Sequence, residues 1–362
     1  MRISSVESFR VETPLTDEQR RGGYYNSSGI TRICTDEGIT GYGFNEVDAD
    51  SVSAILVGAD PFQIERHLQS GLDQWYGAEN ALWDIVGKAA GLPLHKLLGA
   101  FRDEMPLYLT CVWLGAHDQT DVAPRQQAED VKRYAEHGYR AVKIRSWRPD
   151  PMEDVKTVRE IRERVGGRDK MEVMIDRTGE SSGSNWDYET ALKVAHALEE
   201  VDATWLEEPF VRGDVELHAR LRAETDIAIT GGEHQPPEVY HRYMQGEAFD
   251  IVQPHCGNFF TTLKKIAGMA ELWGVECIFH GSHGMTLVGS LQIGATIPSC
   301  RIQELVFTTP PMLPEDAWSP LNSLVKTETL FTVKDGSIEI PQAPGLGIEI
   351  DEDAIERYRV NE

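Results

Sequence analysis

The sequence predicts an α/β protein whose middle closes into a (β/α) barrel, with an α+β module at its start and antiparallel β-structure at its end. Three observations predict this. Short β-branched runs alternate with amphipathic helical stretches from roughly residue 106 to residue 310, enough for about eight parallel strands. Acidic residues close three successive strand-like runs, Asp176 in MEVMID, Glu207 in ATWLEEP and Glu233 in IAITGGE, at intervals of 31 and 26 residues, each about one strand-plus-helix unit. A doubly wound open sheet is the alternative and fits less well, because no glycine-rich phosphate loop follows the early strands and the acids fall on several successive ones.

The elements follow in order. ISSVESFRVET (3–13) and GITRICTDEGITGYGF (29–44), with a turn at Asp36, Glu37 and Gly38, read as an antiparallel meander, and helices are expected from about Pro61 to Gly99. A helix carrying Ala128, Val131 and Ala135 stops at Gly138, just before the strand RAVKIR (140–145). Val158, Ile161 and Val165 precede MEVMID in the same way. Ala191, Val194, Ala195 and Leu198 precede ATWLEEP, and Leu263, Ile266, Ala267 and Ala270 precede GVECIF (274–279). LFTVKDGSIEIP (330–341) forms a hairpin around Asp335 and Gly336, and the tail is expected to pack back against the first module. The expected divisions are 1–104, 105–320 and 321–362. No internal repeat is visible.

With 362 residues and 41% hydrophobic content the chain supports a real core. A net charge of −24 repels nucleic acid and anionic membrane alike. Lysines number 11 against 24 arginines. The acidic surface fits either adaptation to a salty cytoplasm or an ordinary acidic enzyme. No charged-then-apolar leader opens the chain and no run of about 18 apolar residues occurs, so a cytoplasmic location is expected. Five scattered cysteines, Cys34, Cys111, Cys256, Cys277 and Cys300, with no CxxC, argue against a disulfide framework or a zinc site and read as reduced, mostly buried thiols.

Three carboxylates aimed at one point from successive barrel strands suit a hard divalent cation that takes oxygen ligands. Lys143 and Arg145 lie two apart on the second barrel strand, so both point toward the interior mouth. Glu208 faces the other way from Glu207 for the same reason.

ENALWDIVGKAAGLPLHKLLGA (79–100), the VKIR strand (142–145), the WLEEP strand, the three acids and FHGSH (279–283) together resemble the mandelate racemase branch of the enolase superfamily. The resemblance covers essentially the whole chain. It implies an α+β capping domain formed from both termini and a (β/α)7β modified TIM barrel. It implies one Mg²⁺ per subunit, held by Asp176, Glu207 and Glu233, which stabilises the enediolate made when a proton α to a carboxylate is removed. A small-molecule carboxylate is the implied partner and a homo-oligomer the implied assembly. Such a proton is very weakly acidic, so fixed positive charge must neutralise the intermediate before a side chain near neutral pKa can take it.

Lys143 and Arg145 resemble the family's Lys-x-Lys pair, with arginine in the second place. A guanidinium is a poor proton acceptor and clamps a carboxylate or hydroxyl instead, whereas Lys143 supplies positive charge or, with a depressed pKa, a base. His280 matches the family's histidine base. Where relatives carry an aspartate that orients this ring, the chain has His255, which can hydrogen-bond the ring or contact substrate. His283 competes for the role of base. Glu304, closing the eighth strand in CRIQEL, resembles the residue that hydrogen-bonds the substrate carboxylate or the enediolate. In the cap, RRGGYYN (20–26) offers Arg20, Arg21, Tyr24, Tyr25 and Asn26, a polar set suited to a polyhydroxylated acid.

A racemase needs a base on each face of the α-carbon, and Arg145 weakens one of them. Elimination needs only one. The expected function is therefore Mg²⁺-dependent dehydration of a sugar acid, an aldonate or aldarate, to a 2-keto-3-deoxy acid. The alternatives are a racemase, epimerase or cycloisomerase, the last weakened by QPH (253–255) where those relatives carry a lysine, and a non-catalytic sugar-acid binder.

Overall fold

The computed structural model describes residues 1–111, 122–179, 185–255, 259–307, 310 and 312–360. Strands β1 (Ile3–Glu12), β2 (Ser27–Thr35) and β3 (Thr40–Gly43) pair antiparallel in chain order. Glycine at β3 is a steric requirement, because a Cβ at Gly43 would run into the Gly77 carbonyl of the helix Tyr76–Ala90. Ile3, Val6 and Ile33 of this sheet share a separate apolar core with Val52, Leu56, Ile64, Leu68, Leu82 and Ile85. Helices at Ile64–Gln69, Tyr76–Ala90 and Leu94–Leu97 lie in the stretch where helices were expected. A further helix, Ala49–Leu56, precedes it and is capped by the Asp48 side chain on Ser51 N.

The barrel begins with β4 (Glu104–Cys111) and continues through β5 (Ala141–Arg145), β6 (Glu172–Asp176), β7 (Trp205–Glu207), β8 (Ala228–Gly231), β9 (Ile251–Val252) and β10 (Glu276–Cys277) to β11 (Gln303–Phe307). Each strand from β4 to β10 runs parallel to the next, and β11 pairs back onto β4. A bridge from Ser282 to Leu305 joins the chain beyond β10 to β11, so the ring closes. Helices follow the first seven strands, at 124–136, 152–165, 188–200, 215–224, 237–245, 260–273 and 286–294. This is a (β/α)7β barrel. Outward strand residues such as Val142, Ile144, Val173, Ile175, Leu206 and Ile229 pack against helix residues such as Val131, Val158, Ile161, Val194 and Leu263. Each such side chain contributes about 1.5–3 kcal/mol by leaving water.

The hairpin of β12 (Val333–Lys334) and β13 (Ser337–Glu339) forms around Asp335 and Gly336, but not against the first module. β13 pairs with β4, Ser337 to Pro106 and Glu339 to Glu104. The reason is that β4 starts early: its parallel pairing begins at Leu107 with β11 and at Leu109 with β5, which leaves its first residues as an open edge. The later tail packs back against the first module as expected, through bridges from Pro93 to Gly345 and from Val11 to Arg359 and ion pairs of Arg32 with Glu352 and Glu356. That tail includes a helix, Glu352–Tyr358, where only β-structure was expected. Cys34, Cys111, Cys277 and Cys300 are free thiols, the last three buried, and Cys256 lies outside the described residues. No helix among the described residues is long and apolar enough to cross a membrane.

Candidate active site

One side chain on each barrel strand, or next to its end, builds an apolar floor inside the barrel: Tyr108, Ala141, Met174, Trp205, Ala228, Ile251, Ile278 and Ile302. Two residues further along the chain in each case, on the same face, stand Thr110, Lys143, Asp176, Glu207, Thr230, Gln253, His280 and Glu304. All eight are polar and all are buried. With apolar packing beneath them, they must satisfy one another. Thr230 donates to Gln253 (2.8 Å), Gln253 to Glu207 (3.0 Å), and Thr110 to Glu304.

The Lys143 ammonium sits at the centre of this layer, 2.6 Å from Glu207 Oε1, 3.0 Å from Glu304 Oε1 and 3.5 Å from Asp176 Oδ2. Burial would lower its pKa, but Glu207 and then Glu304 outweigh that and hold it well above the ordinary lysine value. Lys143 is held as a cation by these carboxylates. Arg145, two residues on, lies with its guanidinium 5.1 Å from the centre of the Trp147 ring.

Asp176 accepts from Thr178 N (2.7 Å) and Thr178 Oγ1 (3.0 Å). Glu207 takes Trp205 Nε1 (3.1 Å) on its other oxygen, and burial, opposed by Lys143, raises its pKa to about 7. Glu233 lies just beyond β8, ion-paired to Arg212 and 2.6 Å from His280 Nδ1. These partners outweigh burial and hold its carboxyl well below the usual range. Glu208, which sequence reasoning set aside, is buried and accepts from Arg212 (2.7 Å), Gly232 N (3.0 Å) and Glu233 N (3.3 Å). It fixes the turn that carries Glu233. Thr178 (φ 56°), Glu208 (φ 48°) and His234 (φ 54°) all have left-handed backbone within two residues of one of the three acids, a conformation that costs about 1–3 kcal/mol and clusters at functional sites.

Glu304 stands second in β11 rather than at its end, so its carboxylate lies inside the barrel and not at a surface rim. It accepts from Gly281 N (2.6 Å) and contacts both Lys143 and His280. Lys143 and then His280 outweigh burial and keep it well below the usual range. His280 is buried; burial would lower its pKa, but Glu233 and then Glu304 raise it to about 10. His255 stacks at 5.1 Å from His280 and His234 at 4.9 Å. Burial and then the neighbouring His280 lower both, His255 to about 4. His283 stacks instead on Tyr25.

The cap residues divide. RRGGYYN is half helix: Asp17–Gly22 forms one, opened by a Thr16–Gln19 capping box and closed at Gly23 with φ 75°. Arg20 and Arg21 are exposed on its last turn. Tyr24 is half-buried, and a Cβ at Gly22 would touch its ring. Tyr25 donates to Val306 O (2.8 Å), and Asn26 donates to Thr13 O (2.7 Å), so both spend polar groups on the fold. A second stretch of the cap, which the sequence reading did not single out, reaches the barrel mouth. Glu65, Gln69 and Asp73 line a cleft of about 850 Å³ with His234, Gln235 and His255.

The chemistry of the donors fits a hard divalent cation. Asp176, Glu207 and Glu233 offer only oxygen, and five buried carboxylates, with Glu208 and Glu304, face Lys143, Arg212 and His280. That surplus of negative charge is what a 2+ ion offsets. The oxygens of the three acids are turned toward Lys143, Arg212 and His280 rather than drawn to one point.

The missed residues had a signal. In every barrel strand the step from floor to polar layer is an apolar residue followed two places later by a polar one, as in Tyr108 and Thr110 or Ile251 and Gln253. Arg212 and Glu208 had none, because their role depends on a turn more than 20 residues along the chain.

Residues 126–354 match the family described as Enolase C-terminal domain-like. The chain is 28% identical to a 3,6-anhydro-alpha-L-galactonate cycloisomerase of Streptomyces coelicolor over 98% of each chain. It is 30% identical to a D-galactonate dehydratase of Ralstonia nicotianae, over 91% of this chain and 90% of that one. Among solved structures it is similar to a D-glucarate dehydratase from Agrobacterium tumefaciens complexed with magnesium, with a TM-score of 0.81, 23% identity and full coverage of both chains.

Proposed function

Because the chain belongs to the enolase C-terminal domain-like family, a family of enzymes, we propose that it is a Mg²⁺-dependent sugar-acid dehydratase. The observation that carries this reading is a single buried carboxylate, Glu304, touching both an ammonium, Lys143, and an imidazole, His280. Positive charge for a carboxylate and a proton acceptor beside it are the two requirements of abstraction next to a carboxylate.

Asp176, Glu207 and Glu233 would hold the Mg²⁺, which supplies the charge that steadies the two oxygens of an enediolate. Lys143 adds its own charge to the substrate carboxylate. Glu233 drawn to an ion would no longer raise the pKa of His280, which would keep Glu304 as its carboxylate neighbour. His280 takes the α-proton and then gives it to the β-hydroxyl, which leaves as water with its C–O electrons. The enol that remains tautomerises to the 2-keto-3-deoxy acid. Arg145 would hold a substrate oxygen rather than take a second proton.

A sugar acid, aldonate or aldarate, is supported by the galactonate-type acids named for both relatives and by the polar cap residues Glu65, Gln69 and Asp73 that line the cleft at the mouth. The magnesium of the glucarate dehydratase structure is that protein's. For this chain the ion rests on the oxygen donors and their surplus charge.

The Streptomyces relative, matched over nearly all of both chains, favours isomerisation as the second reading. A panel of sugar acids incubated with Mg²⁺ in deuterated water separates them. Dehydration yields a 2-keto acid; isomerisation yields α-deuterated product without loss of water; a non-catalytic binder gives neither. His280→Asn should lower turnover about 10²–10⁴-fold with Mg²⁺ affinity unchanged. Near-full activity in that variant would remove His280 as the base.

A further inference from the structure

His234, His255 and His280 each stand three residues past the last residue of their strand, β8, β9 and β10. Those strands are neighbours in the barrel, so one arc of the mouth carries three imidazoles at one level. A ring nitrogen of each lies within 4.8 Å of the other two. The ring centroids are 4.5, 4.9 and 5.1 Å apart.

We propose that these histidines form a second metal site, for a borderline divalent transition ion such as Zn²⁺, distinct from the oxygen site of Asp176, Glu207 and Glu233. The donor type decides the ion. Imidazole nitrogen suits zinc and its neighbours in the transition series, whereas Mg²⁺ prefers oxygen. Three imidazoles with a fourth position open is a coordination set that zinc adopts. Zinc–nitrogen bonds of about 2.0–2.1 Å require the nitrogens, which lie within 4.8 Å of one another, to close in, and His234 is the exposed ring of the three. His255 Nδ1 is buried without a hydrogen-bond partner, so no protein group competes for it. The cleft of about 850 Å³ lined by His234 and His255 gives an ion its way in.

The site does not depend on the reaction proposed above. One consequence does rest on that reading: an ion on His280 takes its ring out of use as a base, so zinc should slow turnover.

Metal content tests the site directly. The full-length protein, stripped with a chelator and loaded with Zn²⁺ in excess Mg²⁺, should retain one zinc per chain through gel filtration at neutral pH. His234→Gln and His255→Gln should each weaken retention roughly tenfold or more, while Asp176→Asn keeps it. Co²⁺ in place of zinc should give the intense visible bands of a tetrahedral ion, lost in the same histidine variants. Because His234 is exposed, its variant should keep the wild-type circular dichroism and unfolding curve. No retained zinc overturns the proposal. Equal retention in both histidine variants, or loss only in Asp176→Asn, overturns it too and places the ion on the carboxylates. None of these readouts uses activity, so failure here is distinguishable from failure of the dehydratase reading.

Discussion

Lys143 shows how much a single buried charge holds in this barrel. Its ammonium faces Glu207, Glu304 and Asp176 in a layer with no exposure to water. Lys143→Met keeps the length of the side chain and removes the charge, which leaves Glu207 and Glu304 buried without their counter-ion. Breaking a buried pair in this way costs about 3–5 kcal/mol, and urea unfolding should show a loss of that size. A loss below about 1 kcal/mol would mean that the layer is solvated and that Lys143 is not its centre. Its inward direction was legible from VKIR, since alternation alone sets it. His234 was not legible, because it follows Glu233 and drew no signal of its own. The separations of the three histidines, 21 and 25 residues, match no short metal motif, and only the barrel brings them together. Likewise, the cysteines' spacing spoke against a cysteine zinc site and said nothing of histidines on three strands.

At the scale of elements, alternation was the readable part. Helices at 124–136, 152–165, 188–200 and 260–273 contain the apolar positions that predicted them, because their periodicity is set by one shared core. The hairpin after Leu330 was read correctly as a hairpin, since its turn is local, whereas its pairing with the open edge of β4 was not legible. A second long-range link joins cap to barrel. Glu79, on the helix Tyr76–Ala90, accepts from Phe260 N (3.0 Å), Thr261 N (3.0 Å), Thr261 Oγ1 (2.7 Å) and Trp83 Nε1 (2.8 Å). It caps the helix Phe260–Trp273, whose own N-cap residue, Phe259, has no side chain to offer. Glu79→Ala strands those donors in a buried place, where each costs about 1–3 kcal/mol, so a loss of at least about 3 kcal/mol in urea is expected. Glu79→Gln keeps one good acceptor and should lose clearly less. Equal losses in the two variants would show that charge, not hydrogen bonding, makes the cap.

For the whole molecule the governing quantity is its charge of −24, from 59 acidic and 35 basic residues. Part of the basic set is already committed: Arg32 alone is held by Glu7, Glu352 and Glu356 where the tail meets the first sheet. The remaining acids repel one another across the surface, and that repulsion acts against the compact state. Screening shortens its reach from about 30 Å at 0.01 M salt to about 3 Å at 1 M, so the thermal midpoint should climb as KCl is raised over that range. KCl is the right salt because sulfate would also strengthen apolar burial and confuse the cause. The buried pairs of Lys143 and Arg212 lie inside the barrel, where salt screens them far less. Lys143→Met should therefore be displaced to lower stability at every salt concentration and yet keep the slope of the wild type. A midpoint that stays flat from low to molar KCl would contradict a surface governed by self-repulsion and leave an ordinary acidic enzyme. A slope that vanished only in Lys143→Met would place the salt response in the site rather than on the surface.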